Sequence, residues 1–198
     1  YDAFTTFMQF HKPERMARSA HASLRQEWFE AISAQKGSEI LTVQTLRNSL
    51  MSATMLASTA ALALMGTVTL ATPSLHARFG EVAQEAVFLS PWLVLELVLL
   101  GLLFTSLVSA VMAVRFYNHA SFIGAIPVES ETRKRWNPAG SAYVRKAGLL
   151  YGMSLRHLIL VVPVVAAILW PAAGPVAAVL VVAVLLSLDQ FNSETMQN

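Results

Sequence analysis

Polar and apolar residues along this chain segregate into long blocks. Four apolar runs, about 48–70, 92–114, 148–170 and 174–190, are separated by stretches that carry most of the charge. At about 1.5 Å per residue, each of the first three covers the roughly 30 Å hydrocarbon core of a bilayer. The fourth is short and reaches that length if SLDQFN finishes the helix at the interface. The pattern predicts an all-α fold, a polytopic transmembrane helical bundle in one domain over residues 1–198.

Outside these runs the pattern changes. Pro13 to Ala34 reads as a helix with proline in its first turn and a drifting apolar stripe of Met16, Ala20, Leu24, Trp28 and Ile32 beside Arg15, Arg18 and Arg25. A basic amphipathic helix next to a span is expected to lie along the anionic inner leaflet as a cytoplasmic interfacial helix. Packing on another cytoplasmic segment is the alternative. Gly37 then breaks the chain, and Ser38 is placed to cap a helix running into the first span. The stretch PVESETRKRWNPAGSAYVRK is charged and proline-bearing, and reads as a cytoplasmic linker.

Composition supports the membrane reading. Of the 198 residues 55% are hydrophobic and 13% charged, with a mean hydropathy of +0.53, whereas a soluble domain has roughly a quarter charged. A core of this size cannot hide the excess, so the solvent is lipid. The formal charge of +2 is too small to argue for nucleic acid as a partner. The absence of cysteine excludes disulfides, thiolate metal sites and cysteine nucleophiles. His11, His21, His76, His119 and His157 show no ligand spacing such as HExxH, so neither a metal nor another cofactor is expected.

The distribution of lysine and arginine sets the orientation. Lys12, Arg15, Arg18, Arg25, Lys36 and Arg47 precede the first run, and Arg115, Arg133, Lys134, Arg135, Arg145 and Lys146 lie between the second and third. Arg78 alone lies between the first and second, and PAAGP between the third and fourth has no basic residue. The positive-inside rule makes the two rich stretches cytoplasmic. The expectation is a multi-pass protein of the cell inner membrane with a cytoplasmic C-terminus, and with Trp92 and Trp170 at the outer interface.

QTLRNSLMSATMLASTA, an apolar helix ending VRFYNHASFIGAIP, and a third helix carrying YGMSLRH resemble the uncharacterised integral membrane family designated domain of unknown function 599 (DUF599). The resemblance runs from about Asp2 to Leu188 and rests on the order of the motifs. It implies a small bundle with one further span upstream of residue 1, and it supplies no activity. Tyrosine at position 1 agrees with numbering that begins inside a longer or processed chain.

Several polar residues fall at the edges of the runs or within them. Arg156 and Asp189 are equidistant from the turn between the third and fourth runs and therefore lie at similar depth. A buried ion pair is one reading and separate snorkelling the other. Arg47 and Asn48 enter the first run, Arg115, Asn118 and His119 leave the second at the same side, and Arg156 and His157 lie in the third. They read either as positive-inside anchoring or as a site for an anionic lipid headgroup or solute. Glu96 is a snorkelling acid, or an outer ion station if Thr105, Ser106 and Ser109 continue a path. Ser49, Ala53, Ala57 and Ala61 form a small-residue face suited to close helix packing, within the subunit or across an oligomer.

The expected function is non-enzymatic: an oligomer-forming or accessory membrane subunit, with anionic membrane lipid and further copies of itself in a homo-oligomer as partners, and a place in a larger membrane complex. A small transporter or channel for an ion or anionic solute is the alternative. A lipid-active enzyme comes third, since no catalytic constellation of histidine, acid or serine is recognisable.

Overall fold

The computed structural model describes residues 17–79 and 90–189, without the side chains of residues 17–20, 74, 75, 77–79, 188 and 189. Every regular element among the described residues is a helix: α1 Ala17–Ile32, α2 Glu39–Phe79, α3 Pro91–Ala125, α4 Glu131–Leu169 and α5 Ala173–Asp189. By length and composition α2 over Glu39–Pro73, α3 and α4 can cross a membrane. This is the make-up of a multi-pass membrane protein. The expected fourth span is α5, whose 17 residues measure about 26 Å, a little less than a hydrocarbon core. The helical start expected at Pro13 and the chain beyond Asp189 lie outside the described residues.

The long helices extend well past the apolar runs. With 41, 35 and 39 residues, α2, α3 and α4 are each more than 50 Å long at about 1.5 Å per residue. They form an antiparallel series in which α3 packs along both α2 and α4, while α4 also carries α1 and α5. Their outward faces show large apolar side chains, among them Met55, Leu62 and Leu70 on α2, Phe104 on α3 and Val179 on α5. Ala53 and Ala60 of α2 are fully buried, and Ala53 shares the core with Ala113 of α3. Of the small-residue face, Ala53 is thus packed within the chain, while Ser49, Ala57 and Ala61 are half-buried.

The core gathers at the basic end, where Phe29, Leu46, Tyr117, Ile123 and Val144 pack together from four helices. Here the structure corrects the sequence reading three times. The charged stretch expected as a linker is a short turn followed by the first four turns of α4. Ser130 starts this helix by accepting a hydrogen bond from the N–H of Arg133 (3.1 Å), Glu131 sits in the first turn, and Gly140, Ser141, Val144 and Ala147 bury one face. Tertiary burial of that face outweighs the charge and the internal Pro138.

The second concerns α1, which takes the alternative of packing on another segment: it lies on α4 with Ala22, Phe29 and, from the expected stripe, Ile32 buried, whereas Leu24 of that stripe is 61% exposed. The third concerns Ser38, whose hydroxyl donates to the carbonyl of Ile32 (2.6 Å) and ties off the end of α1. Between the two helices Gly37 takes a φ of +75°, a left-handed turn that glycine adopts without strain.

Candidate functional site at the basic end

Arg133 joins three helices, α1, α3 and α4. One turn into α4, its guanidinium is buried beneath the end of α3, donating to the carbonyls of Ile123 and Ile126 (3.4 Å for the latter). Its Nη2 donates to Ser33 Oγ at the end of α1 (2.7 Å), and the group lies 5.3 Å from the centre of the Phe29 ring. A cation at the carbonyl end of a helix meets the negative pole of the helix dipole. Burial lowers the pKa of Arg133 and the charge of Glu39 opposes that shift. Glu39, at the start of α2, accepts from the N–H of Val128 in the α3–α4 turn (2.9 Å), a bond that holds its carboxyl below the ordinary range. Ser141 (2.7 Å) and Gln26 (3.1 Å) donate to Glu30 and likewise lower its pKa. Lys36 and Glu129 form an ion pair on the surface of the same joint.

Missing side chains on α4 let α1 approach closely. A Cβ at Gly140 would stand 2.6 Å from the Phe29 ring, and one at Gly148 would collide with Arg25, 2.8 Å from its Cδ. On α3, a Cβ at Gly124 would stand 2.8 Å from Thr42 Cγ2. Arg25 is thereby laid across α4, leaving a cavity of about 330 Å³ between α1 and the bundle. Tyr117 and Arg25 line it together with Ser49 of α2, whose hydroxyl donates to the carbonyl of Thr45 (3.2 Å).

Of the residues expected to carry chemistry, Arg47, Asn48, Arg115, Asn118 and His119 are all exposed at this end. Thr42 faces Gly124, so in antiparallel helices Arg47 is about level with His119 and Asn48 with Asn118. His119 also lies 5.8 Å from the Tyr143 ring, which stacks on Phe116 at 5.6 Å, and Lys146 approaches Phe116 at 5.9 Å. Arg156 and His157 are half-buried and lie elsewhere. The Ser106–Ser154 contact fixes the α3–α4 register and places Arg156 roughly 16 Å further into the apolar region than Arg115. His157 Nδ1–H donates to the carbonyl of Met153 in its own helix (2.9 Å). The side chain of Asp189, the expected partner of Arg156, lies outside the described residues.

Glu96 is half-buried near the opposite end of α3. Between it and the basic end, Thr105 and Ser109 donate to Gly101 and Thr105 carbonyls of their own helix (both 2.7 Å). Ser106 instead pairs with Ser154 across the helix interface. Among the described residues no group of three histidines or acids is placed to hold a metal ion.

Arg133, Arg25 and Tyr117 were not distinguished by sequence reasoning. Arg133 is one cation in ETRKR, with nothing in the pattern to set it apart from Arg135. The seam was more accessible: GSAYVRKAG places small residues at 140, 141, 147 and 148, the kind of spacing also read on α2.

These features define a helical bundle with three membrane-length helices and a packed basic joint. The family model described as "Protein of unknown function, DUF599" matches residues 1–194, and the chain belongs to that family. No curated protein and no solved structure matches it.

Proposed function

We propose that the protein is a non-enzymatic accessory or oligomer-forming subunit of the inner membrane whose basic end faces the cytoplasm and holds anionic lipid headgroups. The observation that carries this reading is the common level of Arg47, Asn48, Asn118 and His119, all exposed, with Arg115 about one turn nearer the apolar region. Cations at that level meet the negative surface of the inner leaflet. The reciprocal serine contact across the α3–α4 interface favours a solid support over a polar path through it. The small-residue face of α2, where Ala57 and Ala61 are half-buried, is where a second copy would pack.

Lipid co-purified with the full chain tests the belt. Phosphatidylglycerol should be enriched over phosphatidylcholine with the wild type, and the enrichment should fall at least severalfold in Arg47→Gln/Arg115→Gln. Unchanged enrichment in a folded double variant would remove the belt as a lipid contact.

A further inference from the structure

The cavity under α1 has the make-up of a ligand site. Small-molecule sites are commonly a few hundred Å³, mostly apolar, with a few placed polar groups. This one is about 330 Å³. Leu24 and Trp28 of α1 and Leu46 of α2 give it apolar walls, and Arg25, Ser49 and Tyr117 bring polar atoms from three helices. Arg25 brings the charge, and the Ser49 hydroxyl, which donates to the Thr45 carbonyl of its own helix, keeps its lone pairs toward the cavity and can rotate its proton to an incoming anion.

Arg25 is held in place by the packing around it. It crosses α4 where Gly148 has no side chain, and any larger residue there would displace it. Among the described residues no carboxylate lies within ion-pair distance of Arg25. A half-buried guanidinium therefore borders a mostly apolar cavity without a local acid. A guanidinium matches a carboxylate or phosphate through paired N–H donors. Gly148 marks the start of the apolar run on α4, so the cavity sits at the depth where charged groups meet apolar chains.

We propose that the cavity under α1 binds a single-chain anionic amphiphile, with its carboxylate or phosphate on Arg25 and Ser49 and its apolar body against Leu24, Trp28 and Leu46. The site is separate from the exposed belt of Arg47 and Arg115 and stands whether or not that belt holds lipid. An inorganic anion would use Arg25 and leave the walls empty, and a neutral alcohol would use the walls and leave Arg25 without its counter-charge.

The full chain in phosphatidylcholine nanodiscs tests this, with binding of decyl phosphate, inorganic phosphate and decanol followed by native mass spectrometry. One decyl phosphate per chain should bind at least about tenfold more tightly than either of the other two, the factor that corresponds to 1.4 kcal/mol. Arg25→Gln should remove that advantage, and Arg47→Gln should leave it intact. Equal binding of inorganic phosphate or of decanol overturns the amphiphile. So does undiminished binding to Arg25→Gln, or equal loss in Arg47→Gln. Ser49→Leu fills the cavity from α2 and should also weaken decyl phosphate about tenfold. If thermal melting shows Arg25→Gln unfolded, Ser49→Leu decides, and full affinity in that variant overturns the proposal.

Discussion

Ser106 on α3 and Ser154 on α4 bind each other reciprocally: the Ser106 hydroxyl donates to the Ser154 carbonyl (2.9 Å) and the Ser154 hydroxyl to the Ser106 carbonyl (2.8 Å). Both are completely buried, and their Oγ atoms are 3.0 Å apart. Small size and hydrogen bonding act together, since only short side chains bring two backbones this close. Interhelical bonds of this kind contribute about 0.6 to 1.7 kcal/mol. Ser106→Ala should therefore cost about 1 kcal/mol, and Ser106→Val should cost about 1–3 kcal/mol more by overpacking. Denaturant unfolding in one detergent measures both. Equal stability of the valine and alanine variants would show that the contact is loose.

Arg133 and Arg135 stand two positions apart, on nearly opposite faces of α4, and should differ greatly in consequence. Arg133→Met leaves the Ile123 and Ile126 carbonyls and Ser33 without their donor, in a site where Arg133 is 1% exposed. Orphaned buried groups cost about 1–3 kcal/mol each, so the loss should be about 3 kcal/mol or more. Arg135 is exposed, and Arg135→Met should stay within about 0.5 kcal/mol. Arg133→Lys should recover little, because one ammonium cannot span the carbonyls and the hydroxyl. Comparable melting of the 133 and 135 variants would count against the joint.

Acid should loosen the same joint. The N–H of Val128 above all holds Glu39 below its ordinary value of 4.5, and hydroxyl and amide donors do the same for Glu30. The unfolded chain then binds protons more readily than the folded one. The stabilisation is complete above pH 4.5 and is lost as pH falls from there through the lower, folded values. Melting temperature should drop across that acidic window, and Glu39→Gln should flatten part of the drop. A melting curve independent of pH in that window would contradict the role of both acids.

Orientation is best read at exposed positions. Ser141 is buried against Glu30, so a reporter belongs at Ala142, which faces outward. Ala172, in the turn between α4 and α5, is exposed at the other end. In intact cells an impermeant maleimide should label a cysteine at Ala172 and spare one at Ala142. The opposite result would invert the topology.

The apolar runs made the membrane-length helices legible because length and hydropathy are properties of the sequence itself. The bounds were less so. Nothing in ETRKRWNPAG announces a helix, because its support comes from Phe29 and Ile123 packed on Gly140, residues distant in the chain. On α1 the described part of the visible stripe is half-buried at Trp28 and buried at Ile32, and Ala22 and Phe29 join them in place of Leu24, since close approach to α4 rewards a small residue and one aromatic that fits over a glycine. The exposed positions of Arg47, Arg115 and His119 followed from their place at the ends of runs. Arg25 was legible as a cation and not as a cavity wall, because that role depends on the missing side chain of Gly148.

The docking of α1 also has a consequence in time. Glu30 of its final turn and Ser33 just beyond it bond to Ser141 and Arg133, partners 111 and 100 positions later. At about 5–20 residues per second a ribosome needs roughly 5–20 s to make that intervening chain. Throughout that interval α1 exists without its seat, while α2 and α3 are already being handed to the bilayer. Phe29 and Ile32 therefore have no final partner surface until α4 has been made, and the first of these helices is seated only with the fourth.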